Sequence, residues 1–187
     1  MHLPSPAILG PIFGISEIAL GLFMRAKSDA KSEDKGSLRI LWIVILASLF
    51  LAYRATHWFP ALTISNINIS YPIGVLMFFS GLILRWFSII YLGRFFTVNV
   101  AIAKDHRVID TGPYRYIRHP SYTGALMAFT GFALCLSNIA AIFIILVPVT
   151  IAFLHRIGIE EAALGNALGV AYLDYCKRSK RLLPFIY

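Results

Sequence analysis

The chain has 187 residues, of which 58% are hydrophobic and 14% charged, and its mean hydropathy is +0.74. Soluble domains are about 45–50% apolar and about 25% charged, so this composition excludes an ordinary water-soluble protein and predicts a single domain that packs in lipid. The formal charge of +8 does not indicate a nucleic-acid partner, because the Lys and Arg residues lie between the hydrophobic stretches. That arrangement suits an anionic membrane surface and makes membrane lipids the expected partner.

Five apolar stretches follow one another along the chain, and each predicts a membrane helix. They cover residues 8–23, 38–53, 72–92, 122–136 and 139–154. Only Ser137 and Asn138 separate the last two stretches, which predicts a tight antiparallel helical hairpin. The predicted fold class is therefore all-α, a polytopic membrane protein of about five transmembrane helices.

Connections rich in Lys and Arg alternate along the chain with connections that have none, and this pattern predicts the orientation of the protein in the membrane. Segments 25–39 and 94–118 carry five Lys or Arg residues each and the C-terminal tail carries four, whereas segment 58–71 and the 137–138 turn carry none. The positive-inside rule then places the C-terminus in the cytoplasm and the N-terminus outside. Glu17 and Arg85 lie within predicted helices, where charges are costly, so we expect them to form a buried pair or part of a cavity wall.

The connection between the third and fourth helices concentrates basic, imidazole and phenolic side chains. His106, Arg107, His119 and Tyr122 are among them. Pro120 suits the first turn of a helix, because a proline there loses no helical hydrogen bond. This predicts that His119 lies at a helix N-terminus at the membrane surface, where backbone N–H groups can hold an anionic group.

Arg156 and Glu160 follow the fifth stretch and share a helix face by their four-residue spacing. One interpretation is a local ion pair, which stabilises a helix by about 0.2–0.5 kcal/mol. We favour a ligand pocket, because the two residues directly follow an apolar helix and face the basic connection across the hairpin. The residues beyond them that recur at helical spacing predict a short amphipathic helix: Leu164, Leu168, Ala171, Tyr172 and Tyr175.

Together these motifs resemble the isoprenylcysteine carboxyl methyltransferase family of integral-membrane, S-adenosylmethionine-dependent enzymes. The matching residues are Gly112, Tyr114, the run Arg118-His119-Pro120-Ser121-Tyr122, Gly124, Arg156, Glu160-Glu161, Leu164, Tyr172, Tyr175, Arg181-Leu182 and Pro184. The resemblance covers residue 99 to the end, while the first three helices match only in hydrophobic character. It divides the single domain into N-terminal helices, residues 1–93, and a catalytic region, residues 94–187.

The resemblance implies a cytoplasmic pocket for S-adenosylmethionine, formed by the C-terminal half. The residues that it assigns to the cofactor are Asn99, His106, Arg107, Val108, Ile109, Tyr114, His119, Pro120, Ser121, Tyr122 and Glu160. Asn99 stands where the family often has a longer Gln. The resemblance assigns Arg156 to the substrate as the catalytic residue. These residue types suit the cofactor. Basic groups can bind its carboxylate, and Glu160 can accept hydrogen bonds from its ammonium or ribose hydroxyls. Aromatic faces can stabilise its sulfonium or stack on its adenine ring.

The function implied is methyl transfer to the carboxylate of an isoprenylcysteine-like or other lipid-like, prenylated small molecule. Three alternatives stay open: a phospholipid or small-thiol methyltransferase on the same fold, an NADPH-dependent membrane reductase, and a non-enzymatic membrane protein. A glycine-rich dinucleotide motif after a strand is absent, and the His and Cys residues show no metal-ligand spacing. Since the chain is short for the family, we expect a microbial plasma (inner) membrane.

Overall fold

A computed structural model of the protein describes residues 3–23, 32–34, 36–96, 100–101, 107–184 and 186–187. Six helices dominate it: α1 (Pro6–Phe23), α2 (Ser37–Trp58), α3 (Ile67–Leu92), α4 (Pro120–Cys135), α5 (Ile139–Leu168) and α6 (Val170–Arg178). Short 3-10 turns occupy Pro60–Leu62, Gly93–Phe95 and Gly112–Arg115. Two short strands, β1 (Ser32–Asp34) and β2 (Val100–Ala101), pair antiparallel and join the α1–α2 connection to the α3–α4 connection.

All five predicted apolar stretches are helices, which confirms the all-helical polytopic class. Four of them, α1, α2, α3 and α5, are long and apolar enough to cross a membrane. Helix α4 has 16 residues, or about 24 Å, which is shorter than the roughly 30 Å hydrocarbon core. Large apolar side chains such as Ile15 and Ile83 are mostly exposed on the outer helix faces, as expected of surfaces that contact lipid.

Glycines form the contact between α3 and α4. A Cβ atom on Gly81 would lie 2.4 Å from the backbone nitrogen of Ala128 and 2.5 Å from the carbonyl oxygen of Gly124. One on Gly74 would lie 2.8 Å from the carbonyl oxygen of Gly131. The seven-residue spacing on both helices therefore brings two antiparallel backbones into close contact, the device that membrane helices use where the hydrophobic effect no longer drives packing.

The side chain of Asn138 stabilises the hairpin between α4 and α5. It is the N-cap of α5 and accepts a hydrogen bond from the backbone N–H of Ala141 at 3.1 Å. Its side-chain amide donates to the carbonyl oxygen of Phe59 at 2.9 Å, which ties the hairpin to the end of α2. The predicted tight hairpin is present with a connection one residue longer, because Leu136, Ser137 and Asn138 separate the end of α4 at Cys135 from the start of α5 at Ile139.

The predicted amphipathic helix is wrong in one respect. Leu164 and Leu168 belong to α5, which continues without a break from the membrane helix, and only Ala171, Tyr172 and Tyr175 lie in α6. Gly169 separates them, since its φ of +56° and ψ of −132° lie outside the helical range, in a region that glycine adopts without a steric penalty. The apolar residues keep a helical spacing across Gly169, so their pattern alone did not predict that one helix ends there and another begins.

Candidate functional site

A cavity of about 230 Å³ lies where the ends of α1, α3 and α5 meet the beginnings of α2 and α4. One part of its wall is polar and comprises Arg85, Tyr114, His119, Tyr122, Arg156 and Glu160. Another part is apolar and comes from α1 and α2: Phe13, Leu20, Leu41, Trp42 and Ile45. The cavity is therefore not formed by the C-terminal half alone, and the first two helices supply much of its apolar surface.

Most of the residues predicted for the site line this one cavity. They are Arg107, Val108, Ile109, Tyr114, His119, Ser121, Tyr122, Arg156 and Glu160. Pro120 is buried at the first position of α4, as predicted, but it is not part of the lining, and His119 is the N-cap before it. Asn99 and His106 lie outside the described residues. The assignment of each lining residue to a ligand stays a prediction.

Arg156 is buried beside the first residue of α2. Its side chain donates a hydrogen bond from Nη1 to Ser37 Oγ at 2.6 Å, and both residues are less than 5% exposed. Within the described residues, Arg156 and Glu160 do not form an ion pair, so the local pair considered from their spacing is not what orients them. Ser37 lies 119 residues away in sequence, and no motif marked it.

Glu160 is oriented by α4. Tyr122 donates its phenolic O–H to Glu160 Oε2 at 3.0 Å, and His119 Nδ1 lies 4.0 Å from the same oxygen. The ring of Tyr122 also packs on Phe153 with 5.2 Å between centroids. With 31% of its side chain exposed, Glu160 presents a carboxylate that is anchored on one oxygen and open to a ligand.

Glu161, the next residue, joins three parts of the chain. Arg118 Nε donates to its Oε1 at 2.8 Å, and Arg181 Nε donates to its Oε2 at 2.9 Å. His119 Nε2 lies 3.3 Å from Oε1. Backbone hydrogen bonds run alongside, from Arg118 N to the carbonyl oxygen of Lys180 at 2.7 Å and from His119 N to that of Arg181 at 3.1 Å. The C-terminal tail is thereby fixed against the start of α4.

Tyr114 joins the segment between α3 and α4 to α3 and α6. It donates its hydroxyl to the carbonyl oxygen of Ser88 at 3.1 Å, and its own carbonyl oxygen accepts a hydrogen bond from Tyr175 at 2.6 Å. Burial, and after it the negative charge of Glu160, raises the pKa of the Tyr114 phenol above its usual value. The phenol therefore stays neutral at physiological pH and acts as a hydrogen-bond donor rather than as a base.

Glu17 and Arg85 form the buried pair that the sequence predicted, and both line the cavity. Arg85 Nε and Nη2 donate to the two carboxylate oxygens at 2.6 and 2.7 Å. Arg85 Nη1 also donates to the carbonyl oxygen of Ser121 at 3.3 Å, in the first turn of α4. Because a two-pronged pair in a poorly solvated place is geometrically specific, it holds α1 at one position against the site.

Sequence reasoning assigned no ligand to three residues in or beside the site: Ser37, Glu161 and Tyr172. Glu161 was noted in the adjacent Glu160-Glu161 pair, but only the first glutamate had a predicted ligand. Tyr172, on α6, is part of the cavity lining and its hydroxyl is buried without a hydrogen-bond partner in the described part of the chain. Burial and then the negative charge of Glu161 raise the pKa of this phenol, so it is neutral.

Comparison with known proteins gives concordant results. Residues 74–166 match the profile of the isoprenylcysteine carboxyl methyltransferase family. The chain is similar to protein-S-isoprenylcysteine O-methyltransferases A and B of Arabidopsis thaliana, which are 30% and 34% identical to it. These alignments cover 93% and 94% of this chain and 88% and 83% of the relatives.

A solved structure is also similar, that of a eukaryotic intramembrane Ras methyltransferase described as isoprenylcysteine carboxyl methyltransferase. The TM-score is 0.73 at 27% sequence identity, and the match covers 97% of this chain. It covers 65% of the other chain, so this chain spans about two thirds of that protein's length. The likeness therefore extends over α1 and α2 as well as over the region that carried the sequence motifs.

Proposed function

Since this chain belongs to the isoprenylcysteine carboxyl methyltransferase family and is an integral-membrane methyltransferase, we propose that it transfers a methyl group from S-adenosylmethionine to the carboxylate of a prenylated cysteine. The observation that carries the proposal is the composition of the cavity. Its charged end holds Arg156 and Glu160, and its apolar wall runs along α1 and α2. An acceptor that has a carboxylate and a hydrocarbon chain matches a cavity whose lining is partly charged and partly apolar.

The residues at the polar end fit the methyl donor. Glu160 has an accessible carboxylate for an ammonium or for ribose hydroxyls, and the aromatic faces of Tyr122 and Tyr114 suit a sulfonium or an adenine ring. When bound, S-adenosylmethionine supplies a methyl group on a positively charged sulfur. The carboxylate acceptor is already ionised at pH 7, so the site needs no general base, and the neutral phenols around it are consistent with that.

Arg156 suits the acceptor. A guanidinium presents parallel N–H donors that match the two oxygens of a carboxylate, which a lysine ammonium does not do. The hydrogen bond to Ser37, with the further interaction that Arg156 makes, limits the orientations of the guanidinium before any ligand arrives, so less conformational entropy is lost on binding. The work of the protein is then positioning and electrostatic stabilisation.

The experiment is a methyl-transfer assay with purified protein, labelled S-adenosylmethionine and N-acetyl-S-farnesylcysteine. The matched control acceptor carries a carboxamide in place of the carboxylate and is expected to receive no label. In parallel, S-adenosylhomocysteine is expected to raise the Tm by mass action, whereas NADPH is not. Label that appears only in phospholipid, or a Tm rise with NADPH alone, would replace this proposal with one of the alternatives.

We further propose that the cavity faces the cytoplasm and that the membrane is a microbial plasma membrane. The first point follows from the Lys and Arg residues of the connections and tail at that end of the bundle. It is tested by cysteine labelling: Ser65→Cys is expected to react from outside and Lys104→Cys only after permeabilisation. Fractionation of the source cells tests the second point, which the plant relatives do not support.

A further inference from the structure

The apolar part of the cavity ends inside the helix bundle. On α1, α2, α4 and α5, the lining residues nearest to the α4–α5 turn are Phe13, Ile45, Ala125 and Phe153. One helical turn beyond Ala125 lies Phe129, which is 2% exposed and is not part of the lining. The cavity therefore closes at this level, between the polar groups and the turn.

Three phenylalanine rings close the cavity at this level, and we call them the floor: Phe13, Phe129 and Phe153. The ring centroids of Phe13 and Phe129 lie 4.7 Å apart, and those of Phe129 and Phe153 lie 6.4 Å apart. All three side chains are buried. The rings join α1, α4 and α5, and Phe13 contributes both surface to the cavity and a contact to Phe129.

The distance from Arg156 to the floor limits the length of a bound hydrocarbon chain. Ser37 bonds to Arg156 and so marks the level of the guanidinium on α2. Ile45 lies further along the same helix, at a rise of about 12 Å from Ser37. An extended isoprene unit adds about 5 Å, from carbon–carbon bonds of roughly 1.5 Å each. A chain of three units therefore fills this wall down to the floor, and a fourth unit has no space.

We propose that Phe13 is a specificity-determining residue that limits the hydrocarbon chain of the acceptor to three isoprene units. This inference rests on the proposed function and adds to it the chain length that the cavity accepts. The size of the side chain at position 13 sets where the cavity ends, because the ring stands between the cavity and Phe129. Apolar pockets distinguish chains that differ by a single methylene by about tenfold or more, so one isoprene unit in excess is enough for selection.

The experiment is a competition between two acceptors in the same micelles, N-acetyl-S-farnesylcysteine and N-acetyl-S-geranylgeranylcysteine at equal concentration. Mass spectrometry of the two methyl esters gives the ratio of their kcat/KM values, and differences in partitioning into the micelle cancel when variants are compared. We expect the original protein to favour the farnesyl acceptor by about tenfold. Phe13→Ala removes a volume close to that of one isoprene unit and should bring the ratio near one.

A larger residue at the same position should act in the opposite direction. Phe13→Trp raises the floor, so we expect the farnesyl acceptor to lose ground to the shorter geranyl acceptor in the same type of competition. Phe132→Ala is the matched control, because Phe132 lies at the same α1–α4 contact, 3.9 Å from a Cβ atom built on Gly10, but does not line the cavity. Its acceptor ratio should stay that of the original protein, and the affinity for S-adenosylhomocysteine should stay within about twofold in all variants.

Each outcome supports or overturns the inference. Equal use of the farnesyl and geranylgeranyl acceptors by the original protein would mean that the chain leaves the cavity sideways into lipid, and would overturn the inference while leaving the proposed function intact. The same shift of ratio in Phe132→Ala as in Phe13→Ala would also overturn it. If Phe13→Ala does not fold, Phe13→Leu and Phe13→Trp decide, since their ratios must move in opposite directions. Absence of label in acceptors of every length would overturn the proposed function together with this inference.

Discussion

Replacing Ser37 by alanine tests whether the N-terminal helices take part in the reaction. Ser37 is the first residue of α2, is 4% exposed, and accepts a 2.6 Å hydrogen bond from Arg156. The substitution removes one oxygen atom and leaves the helix and the cavity wall otherwise unchanged. We expect Arg156 to sample more orientations, so that the acceptor carboxylate meets a less well-prepared partner.

The size of the effect follows from the burial and charge of the pair. A hydrogen bond to a charged group contributes about 1.5–3 kcal/mol. Arg156 has a further interaction besides Ser37, which favours the lower value, about 1.5 kcal/mol, or about a tenfold loss of kcat/KM for the acceptor. Affinity for S-adenosylhomocysteine should change little, because Ser37 does not line the cavity.

The assay measures kcat/KM with N-acetyl-S-farnesylcysteine and, by calorimetry, the affinity for S-adenosylhomocysteine. Ser48→Ala is the matched control, since Ser48 is an equally buried serine three turns along the same helix. Ser37→Thr keeps the hydroxyl and is expected to recover part of the activity. Equal kinetics for Ser37→Ala and Ser48→Ala would refute the positioning role, and a parallel loss of cofactor affinity would show a general disturbance of the site.

Three other predictions concern residues of the cavity and the helix contact. Arg156→Lys should depress turnover strongly and leave the affinity for S-adenosylhomocysteine nearly intact, whereas Glu160→Gln should weaken that affinity first; equal and small effects on both would contradict the assignment. Gly81→Ala should abolish folding, measured as the yield of monodisperse protein, because its Cβ would lie 2.4 Å from the α4 backbone; Gly14→Ala, with nothing within 4 Å, is the control. Tyr172→Phe should raise the Tm of the ligand-free protein by removing a buried unpaired hydroxyl, a change of about 1 kcal/mol; a lower Tm would mean that the hydroxyl has a partner in the folded protein.

The local features of the fold were predictable because they depend on nearby residues. The apolar stretches predicted five helices, four of which are long enough to cross a membrane, and Pro120 predicted His119 at a helix start, where the structure has it. The turn at Ser137 and Asn138 was equally local. The break at Gly169 was missed for the same reason, since hydrophobic spacing continues across a residue whose positive φ ends the helix.

The contacts between distant segments were not predictable from periodicity. The pairs Arg156–Ser37 and Glu17–Arg85 join residues 119 and 68 positions apart, and a hydrophobic pattern does not say which helices face each other. Glu17 and Arg85 were noticed because charges inside membrane helices are rare, but Ser37 carries no such signal. The seven-residue spacing of glycines on α3 and α4 was visible in the sequence, although it was not used to predict their contact.

Because α5 is continuous from Asn138 to Arg156, its length sets the depth of Arg156 relative to the membrane. Asn138 fixes the start of this helix at one end of the bundle, and the 18 residues from there to Arg156 rise about 27 Å along a straight helix. That rise is close to the roughly 30 Å thickness of a hydrocarbon core, so the guanidinium lies at the level of the opposite membrane interface. A carboxylate whose prenyl chain is dissolved in the bilayer is held at that same level. If Arg156 binds the acceptor as proposed, the lipid brings acceptor and arginine to the same depth before they meet, and diffusion to the site is confined to the plane of the membrane.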